Sequence, residues 1–558
     1  MLAYTLTMAR GKEELSVRER LKSTNARLHL DHSISTKWAR IETSILLTCW
    51  IPLISVFSKT LFHYNYYHSK DHGIRINSPV FHFFARREGM TSSPFPSLGS
   101  ILIVLLALIV NANGESRSHH KVNVSSLLPR KVCSNSIDAL SNVTRLRLVH
   151  RHGPCSPAVR RRRSNFEAEI LARDQLHVGF LRQRIAAAEL GGGGTSPAST
   201  RAAPSTKIPA RSGASVSAGD YIVTVGLGTP PKAQTLFFDT GSDVTWVQCQ
   251  PCTVSCYRQL DQLFDPASSA TYANVTCASA ACSDLDALDC SDGTCIYGVS
   301  YGDGSQSVGF YSSDALALTP SDAVPRFLFG CGQANEGLFG LAAGILGLGG
   351  GRPSLVTQTM KKYNGVFGYC LPASASDTGY LAFGDSGSTN PTVKYTNMLR
   401  DAKTPTFYFI NLIGISVAGQ RLRIPPSVFA KAGTLIDSGT VITRLPPAAY
   451  ASLRSAFRGR MSRYKKAPAV SILDTCYDPT GRGEVKLPAV ALLFPGDVSV
   501  NLAPEGIVYT VNESRICLAF AANDGDDDVG ILGNVQQRTF GVLYDVPKKK
   551  IGFAAGGC

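Results

Sequence analysis

The chain has 558 residues, 44% of them hydrophobic and only 17% charged, which excludes wholesale disorder and calls for at least two domains plus extensions. A formal charge of +15 would suit a nucleic-acid platform if it lay on the folded domain. It lies elsewhere: residues 219–558 hold 26 Lys and Arg against 28 Asp and Glu, whereas residues 1–218 hold 30 against 13. Nucleic-acid binding by the C-terminal part is therefore not expected.

In chain order, residues 1–89 contain one apolar run, SILLTCWIPLISVF at 44–57, whose 14 residues are short for a membrane span; a targeting element is the other reading. The run LGSILIVLLALI at 98–109 has the length of a secretory h-region and is followed by small residues in VNANGES. It reads as a signal peptide over 90–114 if translation begins at Met90, and 1–89 is then expected to be a gene-model extension or disordered. Residues 115–215 read as a propeptide and linker. They hold the arginine run 160–163, readable as a processing site or as a solvated basic face, and a predicted helix, FEAEILARDQLHVGFLRQRIAAAEL. A Gly, Ser, Pro and Ala linker follows, exposed to proteolysis. From Gly219 onward, short β-branched and aromatic runs alternate with Gly, Pro, Asn and Asp, so strands dominate. PAAYASLRSAFRGRM at 447–461 is the clearest of few helical stretches.

Within this β-rich part an internal repeat stands out. F-D-T-G-S at 238–242 and I-D-S-G-T at 436–440 each place an Asp, Asp239 and Asp437, at the end of an apolar run and the entrance to a Gly turn. A D-[ST]-G-[ST] tetrapeptide is expected by chance only about 0.03 times in a chain of this length. A single copy would pass for a hairpin turn. Each copy also has a downstream apolar-apolar-Gly element, Ile345, Leu346 and Gly347 after the first and Ile531, Leu532 and Gly533 after the second. Two homologous lobes follow.

Paired carboxyls suit hydrolysis of an amide without a metal or a covalent nucleophile. One takes a proton from water while the other gives one to the carbonyl oxygen or leaving nitrogen. Two carboxyls in contact cannot both ionise easily, so they share a proton. Gly241 and Gly439 are expected to allow the tight turns that bring the carboxyls together and to expose amide donors. Thr240, Ser242, Ser438 and Thr440 are candidates to hold the carboxylates by hydroxyl and amide hydrogen bonds.

Twelve of the 15 cysteines follow residue 248, an even set that suggests disulfides and an oxidising compartment. Cys249 and Cys252 have zinc-ligand spacing, but no second half-site follows them, so no metal is expected. Sequons at Asn123, Asn142, Asn274 and Asn512 are compatible with a secretory route, and Asn274 and Asn512 fall in the β-rich part as glycosylation candidates.

Both Asp motifs, Trp246, YGDGS at 301–305, FGCG at 329–332 and the insertion beginning CQPCTVSC give the chain its resemblance to a known family. Over residues 219–558 it resembles the pepsin-like aspartic proteases, and more closely their plant nepenthesin-like and chloroplast nucleoid branches. The resemblance implies an all-β, bilobal pepsin-like fold: two homologous β-barrel-like lobes, placed at 216–400 and 401–558, with a central cleft and minor helices. It implies an aspartic endopeptidase made as a zymogen, acid-active and monomeric, acting on proteins or peptides without a cofactor. Tyr301 matches the flap tyrosine and Trp246 the tryptophan that supports it. The implied disulfides pair Cys249 with Cys252, Cys256 with Cys331, Cys277 with Cys295, Cys282 with Cys290, Cys370 with Cys558 and Cys476 with Cys517, leaving Cys133 and Cys155 in the propeptide. One rival is a catalytically dead binding protein, since relatives of this fold include xylanase inhibitors with degraded motifs; here both Asp-[ST]-Gly turns are intact. A plastid location is the other rival, because LRLVHRHGPCSP is similar to the nucleoid branch, but the h-region favours secretion to the apoplast or vacuole.

Overall fold

In the computed structural model, residues 118–134, 144–157, 166–189, 221–285, 288–301, 304–384 and 393–555 are described. The apolar runs at 44–57 and 98–109, the arginine run 160–163, Asn142, the linker 190–220 and Cys558 lie outside them.

Strand follows strand from Tyr221, as the β-branched runs require. Tyr221–Leu227 reverses through a Gly-Thr-Pro-Pro turn into Lys232–Asp239, with Ile222 opposite Phe237. The last six residues of that second strand are all buried, which is why Leu236, Phe237 and Phe238 follow one another without alternation. Gly344–Gly347 lies parallel to it, Gly347 opposite Asp239, and also pairs antiparallel with Trp246–Gln248. The second half repeats the plan. Thr434–Ile436 runs parallel to Gly530–Leu532, and Thr443–Leu445 crosses antiparallel with Arg444 opposite Ile531. The repeated Gly is a requirement of close approach: a Cβ at Gly347 would stand 2.2 Å from the Asp243 carbonyl oxygen, and one at Gly533 2.7 Å from that of Val441. The fold is thus mostly β and built from two like halves, as the resemblance implies.

The leader is woven into this architecture. Its strand Thr144–His150 pairs with Tyr221–Leu227 on one side and along its length with Thr378–Phe383 on the other. From there the sheet continues through Val366–Cys370, Phe540–Asp545 and Lys550–Ala555. Leu146 and Leu148 are buried in the same core as the flanking strands, worth about 1.5–3 kcal/mol each. A shorter leader strand, His119–Val122, pairs with Val485–Pro488. The helix Phe166–Glu189 begins with Glu167 and Glu169, acidic residues suited to a helix N-terminus. It buries a stripe of Ile170, Leu171, Asp174, Val178 and Leu181. The helix expected near 447–461 spans Pro447–Arg460.

Four of the implied disulfides need correction. Cys249 pairs with Cys331 and Cys252 with Cys256. The strand Trp246–Gln248 lies parallel to the segment holding Gly330, Cys331 and Gly332, and the Cys249 amide donates to the Gly332 carbonyl at 3.0 Å, so residue 249 is delivered to Cys331 and not to its neighbour in sequence. Cys277 pairs with Cys290 and Cys282 with Cys295. Burial sorts these four: Cys282 and Cys295 are fully buried together, while Cys290 lies on the exposed side. Cys476–Cys517 forms as implied, its members facing each other across paired strands. Cys370 is disulfide-bonded. In the leader, Cys133 pairs with Cys155.

Candidate active site

Each Asp-[ST]-Gly turn leaves its strand at the junction of the two halves, and the turns interlock. The Ser438 amide donates to Thr240 Oγ1 at 2.9 Å, and the Thr240 amide donates to Ser438 Oγ at 3.1 Å. This reciprocal exchange fixes one loop against the other. The carboxylates are then tied by like sets of donors. Asp239 accepts from the Gly241 amide at 2.9 Å and from Ser242 Oγ at 2.5 Å. Asp437 accepts from the Gly439 amide at 3.1 Å and from Thr440 Oγ1 at 2.7 Å. Gln537, which the sequence reading did not single out, holds the Asp437 backbone by donating to its carbonyl at 3.0 Å.

The two turn glycines are required for room. Neither has a positive φ. A Cβ on Gly241 would stand 2.9 Å from Asp437 Oδ1, and one on Gly439 would stand 2.8 Å from Asp239 Oδ1. Each glycine of one turn therefore makes space for the carboxylate of the other, and either substitution would push the pair apart.

Tyr301 and Trp246 are brought together, with Trp246 Nε1 donating to the Tyr301 hydroxyl at 2.7 Å. Phe339 packs edge-on against both rings. Asn274 and Asn512 are exposed. Among the described residues, no group of three or more His, Cys, Asp or Glu side chains is placed to hold a metal ion.

The sequence reading missed the most telling feature. The leader helix lies over the dyad, and His177 Nε2 reaches Asp437 Oδ2 at 3.1 Å. One turn earlier, Asp174 forms an ion pair at 2.9 Å with Arg444, both fully buried. Val178 and Leu181 pack on Phe407, Leu435, Val529 and Ile531, while Ile170 and Leu171 pack on Val441, Ile442 and Val535. The signal was present: Asp174 and His177 share the helical stripe of Ile170, Leu171, Val178 and Leu181, and charged residues at core positions need partners.

Electrostatics separates the two carboxyls. Burial pushes Asp239 up, and the charge of Asp437 adds to this. Burial also acts to raise Asp437, but the hydrogen bond and charge of His177, with the bonds from Thr440 and Gly439, outweigh it and hold Asp437 low. Burial alone would lower His177; its hydrogen bond to Asp437 and the charges of Asp437, Asp239 and Asp174 raise it to about 9.

Two interlocked turns that hold an unequal carboxyl pair between like lobes define an aspartic-type hydrolase site. Comparison with known proteins agrees. Residues 221–385 match the family profile described as Xylanase inhibitor N-terminal, and residues 407–555 match Xylanase inhibitor C-terminal. An aspartyl protease family protein of Arabidopsis thaliana is 45% identical over 473 residues, covering 82% of this chain and 97% of that protein. That match is longer than residues 221–558, so it takes in part of the leader. Nepenthesin-2 of Nepenthes gracilis, an aspartic proteinase, is 35% identical over 61% of this chain and 78% of its own length. Among solved structures, conglutin gamma from lupine seeds has a TM-score of 0.50 at 22% identity, covering 60% of this chain and 92% of that one. This likeness speaks to the fold alone. The chain belongs to the aspartyl protease family.

Proposed function

We propose that the chain is the zymogen of an acid-active aspartic endopeptidase acting on proteins or peptides, held closed by its own leader helix. The observation that carries this reading is the His177–Asp437 ion pair inside a helix-filled site. Once His177 has left, the two interlocked carboxyls share a proton, one acting as the acid and the other as the base that activates water. A binding protein or inhibitor would need none of the interlocking that keeps the two carboxyls in register.

The ion pair gives the closed precursor a pH window. His177, raised from 6.5 to about 9, stabilises it fully below 6.5 and loses that contribution as pH rises through about 9. Asp437, held below its ordinary 3.8, contributes above 3.8 and loses it as pH falls through its lowered value. Neutral pH thus keeps the helix seated, and strong acid weakens its hold on the dyad. Six described disulfides favour an oxidising, secretory compartment, the apoplast or vacuole.

The test is cleavage of a quenched peptide by acid-treated full-length protein, with and without pepstatin. Pepstatin-sensitive turnover that appears only after acid treatment is the expected result. Turnover that persists unchanged in Asp239→Ala would overturn the reading.

A further inference from the structure

The leader helix also displays what the cleft beside Asp437 is built to hold. Arg444 is 1% exposed, and its Nη1 is anchored by donating to the Ile442 carbonyl at 2.7 Å. Its Nη2 faces the helix, 2.9 Å from Asp174 Oδ2 and 3.1 Å from Gln175 Oε1. The same Asp174 carboxylate accepts from the amides of Val441 at 2.5 Å and Ile442 at 3.2 Å. A guanidinium and two backbone N–H groups therefore converge on one carboxylate, the geometry of a specific anion cradle. Among the described residues, Asp174 provides the one ion pair that Arg444 makes.

The repeat shows that this arrangement is unusual for its position. Trp246 stands seven residues after Asp239, as Arg444 stands seven after Asp437, and each lies opposite an isoleucine, Ile345 or Ile531. In the first lobe the polar atom at this position is satisfied by Tyr301, from the same lobe. In the second, the partners of Nη2 come from the leader. When the helix departs, the cradle keeps its donors and its charge and loses its carboxylate.

We propose that in the active enzyme Arg444, with the amides of Val441 and Ile442, forms a substrate subsite selective for an acidic side chain, Glu or Asp, within two residues of the scissile bond. This rests on the endopeptidase reading above. The placement follows from the helix itself. Asp174 and His177 are three residues apart, about 4.5 Å along the axis, and His177 sits on Asp437. An extended peptide advances about 3.3 Å per residue, so the cradle lies one to two residues from the reacting bond. A substrate Gln offers the same shape and one acceptor oxygen but no charge, whereas Glu restores the charge-assisted pairs that Asp174 makes.

The experiment uses acid-activated full-length protein and matched quenched peptides, cleaved at one fixed apolar pair. Glu, Gln or Lys is placed in turn at each of the two positions on either side. At pH 5 the Glu side chain is largely ionised. At one position Glu should exceed Gln by about tenfold in kcat/KM, with Lys below both. In Arg444→Met the Glu-to-Gln ratio at that position should fall to about one, whatever the absolute rate. If this variant does not fold, the wild-type ratio decides alone. Equal rates for Glu and Gln at all four positions, or a preference that survives in Arg444→Met, would overturn the subsite and leave the protease reading standing. Failure to cleave any peptide, the Gln series included, overturns both.

Discussion

The two lobes run the same chain path to the same chemistry but finish it differently. In the first, the side chain seven residues past the aspartate is Trp246, whose N–H is satisfied by Tyr301 from the same lobe. In the second it is Arg444, whose outward nitrogen is satisfied by Asp174 and Gln175 of the leader. The aspartates differ in the same sense: among the described residues Asp239 accepts from donors of its own turn, while Asp437 also meets Thr240 of the other turn and His177 of the leader. The position seven residues past the aspartate is satisfied within its own lobe in the first half and by the leader helix in the second. Symmetry in backbone thus coexists with asymmetry in the partners that complete it.

The comparison can be broken or sharpened in four ways. The largest effect belongs to the shared element. Asp239→Asn and Asp437→Asn should each lower kcat/KM of the activated protein by about a thousandfold or more, since the carboxyls act as a unit; a large loss for one alone would deny that the halves are chemically equivalent. Next is the asymmetric element: His177→Leu should raise peptide cleavage by the uncut precursor at mildly acidic pH by about tenfold or more, because a charge-assisted bond is lost from the closed state only. Unchanged precursor activity would deny His177 a part in the closure. Third, Trp246→Phe and Tyr301→Phe should each cost about 1 kcal/mol of stability and combine non-additively in a double-mutant cycle read by denaturant unfolding. Smallest is a chemical contrast within the first lobe: mild reduction followed by alkylation and mass mapping should label Cys277 and Cys290 before the fully buried Cys282 and Cys295.

The sequence made legible whatever is local and repeated. The two Asp-[ST]-Gly turns, their apolar-apolar-Gly partners and the leader helix stand in the text of the chain, because strand, turn and helix each leave a short-range period. The pairing of cysteines was not legible. Cys249 meets Cys331 only through a parallel strand contact 82 residues apart, which no spacing announces. Nor was the partnership of Asp174 with Arg444, separated by a lobe and a half, although a charged residue on an apolar helical stripe marked that something had to answer it. The turn glycines donate their amides to the carboxylates as expected, but the space they leave for the opposite carboxylate was not legible, being a relation between two loops that neither motif contains alone.

The leader strand Thr144–His150 carries a consequence of its own. It sits between Tyr221–Leu227 and Thr378–Phe383 as an interior member of the sheet that ties the halves together. A helix plug can be lifted away, but extracting an interior strand opens a seam, with a row of backbone donors and acceptors bared on each lip. On the proposed zymogen reading, maturation is therefore as much a matter of mending as of unplugging: either that strand stays behind as a fastened remnant, or another stretch of chain is stitched into its place.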